Sequence, residues 1–298
     1  SVFSQYGIPV IPLKGTVLAE LLYGNPGLRT MVDIDILVRS EELARASSLL
    51  IEMGYQQFTE DYSQPHPFHG APYRKEGIFP LFLELHWDLD DERLLSISKQ
   101  EIWHHAQILK LPWGSIMVLS PEDTLLYMSI QLSKQATQVR TLCDIAELLK
   151  KYAGVLDWGY IIETAHSWQI ETMVYYALKR AQGILGAPVP ASLVRLKPSL
   201  WRWWLLRLLI DERIFTSSIK NQKLRNETSV VIYSLMMKHF YQTRKVLSEH
   251  RGPWTMGTWL RTAIWIMIVF GAAMGRHATR VVSLPSLPEL LERRRGLW

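Results

Sequence analysis

Met31-Val32-Asp33-Ile34-Asp35-Ile36-Leu37-Val38 is the stretch on which the fold turns. It reads as a β-strand rich in Val and Ile, yet it carries two carboxylates. Side chains alternate along a strand, so Asp33 and Asp35 share one side while Val32, Ile34 and Ile36 take the other. Like charges that close, in a largely apolar setting, repel each other or raise a pKa. A divalent cation removes the conflict. Carboxylates that hold magnesium also present it to substrate phosphates.

Upstream, Ile8-Pro9-Val10-Ile11-Pro12-Leu13 reads as a short apolar strand ending in a turn at Lys14-Gly15. A helix follows from Thr16, with Val17, Leu18, Leu21 and Leu22 at helical spacing. Gly15 lets backbone approach a ligand closely. The free N–H groups of a helix start suit an anion. Thr16 is placed either to cap that helix or to touch a phosphate, and Lys14 adds positive charge at the same corner. Downstream, Pro80-Leu81-Phe82-Leu83-Glu84-Leu85-His86-Trp87 reads as another strand, with Phe82, Glu84 and His86 on one face. Glu84 would complete a cluster of three carboxylates, a set able to hold a pair of metal ions roughly 3.5–4 Å apart.

Each motif has an ordinary explanation. A lone Asp-x-Asp is common at strand ends, Lys-Gly at a turn is commoner still, and Glu84 alone suits a solvated edge strand. What distinguishes the chain is their order: Gly turn and helix, acidic strand, then a strand Glu. An ordinary core requires no such order.

Leu13-Lys14-Gly15, Leu28-Arg29, Asp33 to Val38, Met53-Gly54-Tyr55 and Leu83-Glu84-Leu85-His86-Trp87 together resemble a bacterial nucleotidyltransferase family, a branch of the DNA polymerase β-like superfamily. The resemblance covers the N-terminal half and thins beyond it. It implies an α+β fold, with a nucleotidyltransferase-type mixed sheet and flanking helices over 1–118 and a mostly helical domain over 119–298. It implies that the Gly15 turn binds the donor nucleoside triphosphate. Asp33, Asp35 and Glu84 would be the catalytic, metal-binding carboxylates, and Mg2+ the cofactor with Mn2+ as its substitute. The turn departs from the superfamily's Gly-Gly or Gly-Ser, and the loop Tyr23 to Arg29 is long. Arg29 precedes the acidic strand and is either a bidentate phosphate contact or a surface arginine. Arg140 and Asp144 lie four apart on one helix face. They fit either the superfamily's Arg-x-x-x-Asp beside the nucleotide or an internal salt bridge.

Composition bounds this without deciding it. The chain has 298 residues, enough for two domains, and its 48% hydrophobic and 20% charged fractions are those of a globular protein. A net charge of +5 and a pI near 9.2 suit phosphate-bearing substrates but are too common to identify one. One cysteine, Cys143, excludes an intramolecular disulfide and points to a reducing cytoplasm. It reads as a small buried residue. No charged start followed by an apolar run marks a signal peptide. The longest apolar stretch, 262–274, falls short of the ~20 residues that span a bilayer.

Along the rest of the chain, Ser40 reads as the N-cap of a helix from Glu41 to Met53, ended by Gly54. The stretch from Asp61 to Glu76, with Pro65, Pro67, Gly70 and Pro72, reads as a loop or hairpin connection and a candidate lid. His66 and His69 lack the partners of a zinc site. His86 shares a face with Glu84, placed to assist an acceptor, to orient a carboxylate, or to pack on Trp103. His104 and His105 read as surface residues. Ile108 to Leu119 reads as a hairpin around Pro112-Trp113-Gly114. Ser120-Pro121-Glu122-Asp123 is a helix start. Beyond it lie expected helices over Trp158 to Gly183, Ser199 to Arg213 and Ser229 to Glu249. The Trp/Arg mixture from Trp201 to Arg207 fits RNA stacking, a membrane interface or core packing.

The leading expectation is a magnesium-dependent transfer of a nucleoside monophosphate from a triphosphate, ATP among the donors, to a hydroxyl or phosphate acceptor. Small molecule, peptide and RNA all stay open as acceptor; nucleic acid is not favoured. The rival is a non-catalytic nucleotide-binding or regulatory protein that keeps the fold; a third reading is a toxin or tailoring enzyme. Asp35→Asn is expected to abolish transfer and to relieve charge repulsion.

Overall fold

The computed structural model describes residues 2–57, 70–90, 94–111, 114–134 and 139–200, with Arg202, Trp203, Leu206, Tyr233, Met236 and Met237. The expectations for His66 and His69, the Pro112-Trp113 turn, the helix over 229–249, the stretch 262–274 and most of the Trp/Arg segment lie outside the described residues.

A short helix α1 (Val2–Gln5) leads into strand β1 (Val10–Pro12). The turn at Lys14-Gly15 opens α2 (Thr16–Leu18), which continues as a π-turn over Ala19–Tyr23 and stops at Gly24, a left-handed residue with φ +64°. The acidic stretch forms β2 (Asp33–Val38). Then come α3 (Leu43–Glu52), β3 (Gln56–Gln57), β4 (Gly70–Lys75) and β5 (Leu81–His86). The sheet order is β1-β2-β5-β4-β3. Among the described residues of this sheet, the central β2–β5 pair is parallel and the others are antiparallel. Helix α4 (Lys99–His105) precedes a hairpin of β6 (Gln107–Leu111) and β7 (Gly114–Val118), and β7 packs beside β1. Helices α5 (Pro121–Lys134), α6 (Val139–Tyr152), α7 (Trp158–Ser167) and α8 (Glu171–Leu185) follow. This is the mixed-sheet α+β architecture with a helical C-terminal part that the sequence led us to expect.

The alternation along β2 sorts the sheet into two faces. Ile36 and Val38 join Leu83, Leu85 and Tyr73 against Ala46, Leu49 and Leu50 of α3. Each fully buried Leu or Ile there contributes about 1.5–3 kcal/mol by removing apolar surface from water. On the opposite face, Ile11, Leu13 and Leu37 belong to one cluster with Leu125, Tyr127, Ile145 and Trp168 of the helical part. The carboxylates of β2 therefore point to the side that the helices cover.

Three local expectations change. The helix expected from Glu41 begins with a tight turn over Ser40–Glu42, and the Ser40 side chain does not cap it. Of the loop or hairpin connection expected from Asp61 to Glu76, the described part, from Gly70, forms β4, antiparallel to β5. Pro72 lies within that strand, opposite Glu84 of β5. The single helix expected from Trp158 to Gly183 is two, α7 and α8. They are separated where Gln169 adopts φ +62°. Ser120 does start α5 as expected: its Oγ accepts from the Asp123 N–H at 3.0 Å and donates to the Asp123 carboxylate at 2.9 Å.

Candidate active site

The glycine corner and the acidic strand are built against each other. The Leu13 N–H donates to the Asp35 carbonyl at 3.0 Å, which carries the β1–β2 pairing up to the turn. Gly15 then reverses the chain with φ +64°, a conformation that costs a side chain roughly 1 kcal/mol or more. A Cβ at Gly15 would lie 3.6 Å from the Asp33 carbonyl oxygen. The turn therefore sits directly beside the start of β2. From it Lys14 sends its Nζ to within 3.0 Å of Asp35 Oδ1. Thr16 opens α2, and its side chain lies outside what is described.

Asp35 is 2% exposed and faces Glu84 across the parallel β2–β5 pair. His86, two residues along β5, is 4% exposed. Its Nε2 lies 3.2 Å from Asp35 Oδ1 and 3.3 Å from Glu84 Oε2. Asp33 shares the face one alternation earlier, opposite Phe82, and is solvent-exposed. Among the described residues, the group whose donor atoms all fall within 4.8 Å of one another is Asp35, Glu84 and His86. Trp103, the alternative partner for His86, instead carries the Arg39 guanidinium over its ring at 4.7 Å.

Charge explains how these groups coexist. Burial works to raise the Asp35 pKa, but the hydrogen bond from His86 and the Lys14 ammonium overrule it and hold the carboxyl at about 2. Burial opposes ionisation of Glu84 as well, and His86 again prevails, lowering its pKa. Burial works to lower the His86 pKa; its hydrogen bonds to Asp35 and Glu84 outweigh that and raise it. Desolvation first, and the Asp35 charge after it, push the Asp33 pKa up. Three carboxylates thus meet two cations, one of them a lysine tip. The residues fit a divalent cation: hard oxygens and an imidazole nitrogen converge, and the molecule already supplies its own positive charge at that spot.

Gly70 was not singled out from sequence. It stands opposite His86 on β4, and a Cβ there would lie 2.9 Å from Glu84 Oε1 and 3.0 Å from His86 Nδ1. The carboxylate and the ring fold over this glycine. The one available signal was a glycine inside what is in fact a strand, hidden by the surrounding prolines.

Arg140 and Asp144 do not form the internal salt bridge that their spacing allowed. Arg29 is buried at 8% exposure, and its guanidinium grips Asp144: Nε lies 3.0 Å and Nη2 3.0 Å from Oδ2. Tyr23 donates to the same carboxylate at 2.9 Å. Burial first, and Asp144 after it, push the Tyr23 pKa up. Arg140 donates to the Thr30 carbonyl at 2.9 Å instead of pairing with Asp144. Lys151 reaches the Leu21 carbonyl. These contacts tie the π-turn and the loop after it to α6. His104 is exposed as expected, but His105 is half-buried, its Nδ1 2.9 Å from the Tyr160 hydroxyl. Cys143 is half-buried too.

Residues 1–186 match a family described as uncharacterised nucleotidyltransferase. No curated protein matches the chain. Among solved structures, an antigenic nucleotidyltransferase-like protein from Paracoccidioides brasiliensis is similar at 14% identity and a TM-score of 0.40, over 65% of this chain and 91% of that one. A lincosamide antibiotic adenylyltransferase with bound lincomycin is similar at 17% identity and a TM-score of 0.34, over 49% of this chain and 89% of that one.

Proposed function

This chain belongs to the uncharacterised nucleotidyltransferase family, and on that premise we propose that Asp33, Asp35 and Glu84 form the active site for transfer of a nucleoside monophosphate from a triphosphate to a hydroxyl or phosphate acceptor. Nucleotidyl transfer is the activity of the family; donor, metal and acceptor are the proposal. The observation that carries it is Asp35 standing opposite Glu84 on parallel strands, beside the Gly15 turn.

In this reading the acceptor oxygen attacks the α-phosphorus in line. The bond to the bridging oxygen breaks and pyrophosphate leaves. Asp35 and Glu84 would hold a divalent cation, Mg2+ or Mn2+, which when bound would neutralise charge on the phosphate oxygens. The chain's own part is positioning and charge. Asp35 and Glu84 hold the cation site, and Asp33 at the open end completes it as charge accumulates. Gly15 leaves the backbone bare where the triphosphate approaches. Lys14, now on Asp35, exchanges that partner for a phosphate oxygen. Arg29 acts from behind, holding the loop that carries the acidic strand. Arg140 and Asp144 likewise support the loop. His86 orients the two carboxylates it touches.

The division into a catalytic unit over 1–118 and a second unit over 119–298 is part of the same proposal, favoured by the run of helices α5 to α8. Among the described residues no helix is long and apolar enough to cross a membrane. We place the reaction in the cytoplasm on the strength of its triphosphate donor.

The test is to incubate the protein with each α-labelled nucleoside triphosphate, Mg2+ or Mn2+, and fractionated cell extract. Label should pass to one acceptor fraction with stoichiometric pyrophosphate. Binding of triphosphate and metal without transfer to any fraction would favour the non-catalytic rival.

A further inference from the structure

We propose that His86 is itself a metal ligand, so that the site is an oxygen–oxygen–nitrogen donor set favouring a first-row transition dication over Mg2+. This rests on the metal-assisted reading of the site and names which metal the chain is built for.

His86 Nε2 points between β2 and β5. Its two neighbours, Asp35 Oδ1 at 3.2 Å and Glu84 Oε2 at 3.3 Å, come from different strands and converge on that one nitrogen. Adjacent ligands of an octahedral ion with bonds near 2.1 Å lie about 3 Å apart. The spacing from the ring nitrogen to each oxygen is therefore already close to that of adjacent ligands on one ion. All three donor atoms fit within 4.8 Å.

The ring also has little freedom to leave. It is 4% exposed. Gly70 lies against its other edge so closely that a Cβ would stand 3.0 Å from Nδ1 and 3.2 Å from Cε1. A residue whose only task was to neutralise carboxylates would need no such fixed direction; Lys14 does that on a flexible stem. A fixed imidazole aimed between two carboxylates is what ligation requires, once Nε2 releases to solvent the proton it shares with them in the metal-free protein. Mg2+ takes oxygen donors and keeps its waters, whereas imidazole suits the later divalent metals.

The probe is Mn2+, added to the whole protein and read by electron spin echo envelope modulation. Protein carrying 15N only in its histidines separates imidazole from backbone nitrogen. We expect a histidine nitrogen coupling in the wild-type protein and its loss in His86→Gln. Calorimetry should show Mn2+ affinity falling at least tenfold in that variant, with a smaller fall for Mg2+. Bound Mn2+ without histidine coupling in the wild type overturns the inference and leaves the carboxylate site intact. A coupling that survives in His86→Gln overturns it equally. Absence of any Mn2+ binding overturns it together with the metal-assisted reading. Because wild-type protein carries the decisive measurement, a variant that fails to fold does not shelter the claim.

Discussion

Asp35 is where charge, burial and geometry meet, and its substitution separates two effects that the sequence had merged. The sequence suggested that neutralising it would relieve repulsion. In the fold it is paired with Lys14 and His86, with its pKa held at about 2. Asp35→Asn should therefore abolish transfer and also lower stability, by on the order of 2 kcal/mol, read as a fall in melting temperature. An unchanged or higher melting temperature would contradict the pairing. The pH dependence carries two signs. Because the Asp35 pKa is depressed, its contribution is present above the ordinary carboxylate range and is lost as pH falls towards 2. Because the His86 pKa is raised, its contribution is full below about 6.5 and is lost as pH rises through the folded-state value. Metal-free protein should lose melting temperature on the alkaline side, a loss that vanishes in His86→Gln. Gly70→Ala probes the same spot sterically. The added methyl must displace Glu84 or His86. We expect transfer to fall about tenfold or more, as for other disturbed ligand supports, with far-ultraviolet circular dichroism unchanged.

At the scale of elements, the tie between the acidic strand's approach loop and α6 is the feature most open to test. Arg29 and Asp144 form a buried, bidentate pair across 115 residues of sequence. Removing one partner of such a pair leaves an uncompensated charge and costs about 3–5 kcal/mol. Arg29→Met should lower the denaturation midpoint accordingly. A loss within the range of surface pairs, below about 1 kcal/mol, would show that the tie is weak. This pair also marks a limit of reading the chain unaided. Spacing of four makes Arg140 and Asp144 look like partners, because helix periodicity is all a sequence displays. The actual partner comes from a distant loop, and long-range pairing leaves no trace in spacing. The break between α7 and α8 was hidden for a similar reason. It rests on Gln169 adopting a left-handed conformation, which no glycine or proline announces. By contrast, β1, β2, β5 and α5 were legible, since each is written in alternation or in a start signal that acts locally.

For the whole molecule, two apolar clusters hold the sheet from opposite sides, and the acidic corner lies on the side the helices cover. That placement was legible in one respect: alternation alone put Asp33 and Asp35 together, and Glu84 with His86. Which strands would be neighbours was not legible, because adjacency of β2 and β5 depends on the intervening α3, β3 and β4. The expectation that Glu84 joins the aspartates rested on the order of the motifs and on the family resemblance; in the fold Glu84 stands opposite Asp35. Gly70 escaped notice because its role is to leave space, which becomes visible only once its neighbours are in place. The most direct measurement is a crystal structure of the protein with Mn2+ and a non-hydrolysable nucleoside triphosphate, with the metal located by anomalous scattering. The account predicts a peak within about 2.5 Å of carboxylate oxygens of Asp35 and Glu84, with the triphosphate against the Gly15 turn. A metal bound elsewhere, or a triphosphate seated away from that turn, would contradict it.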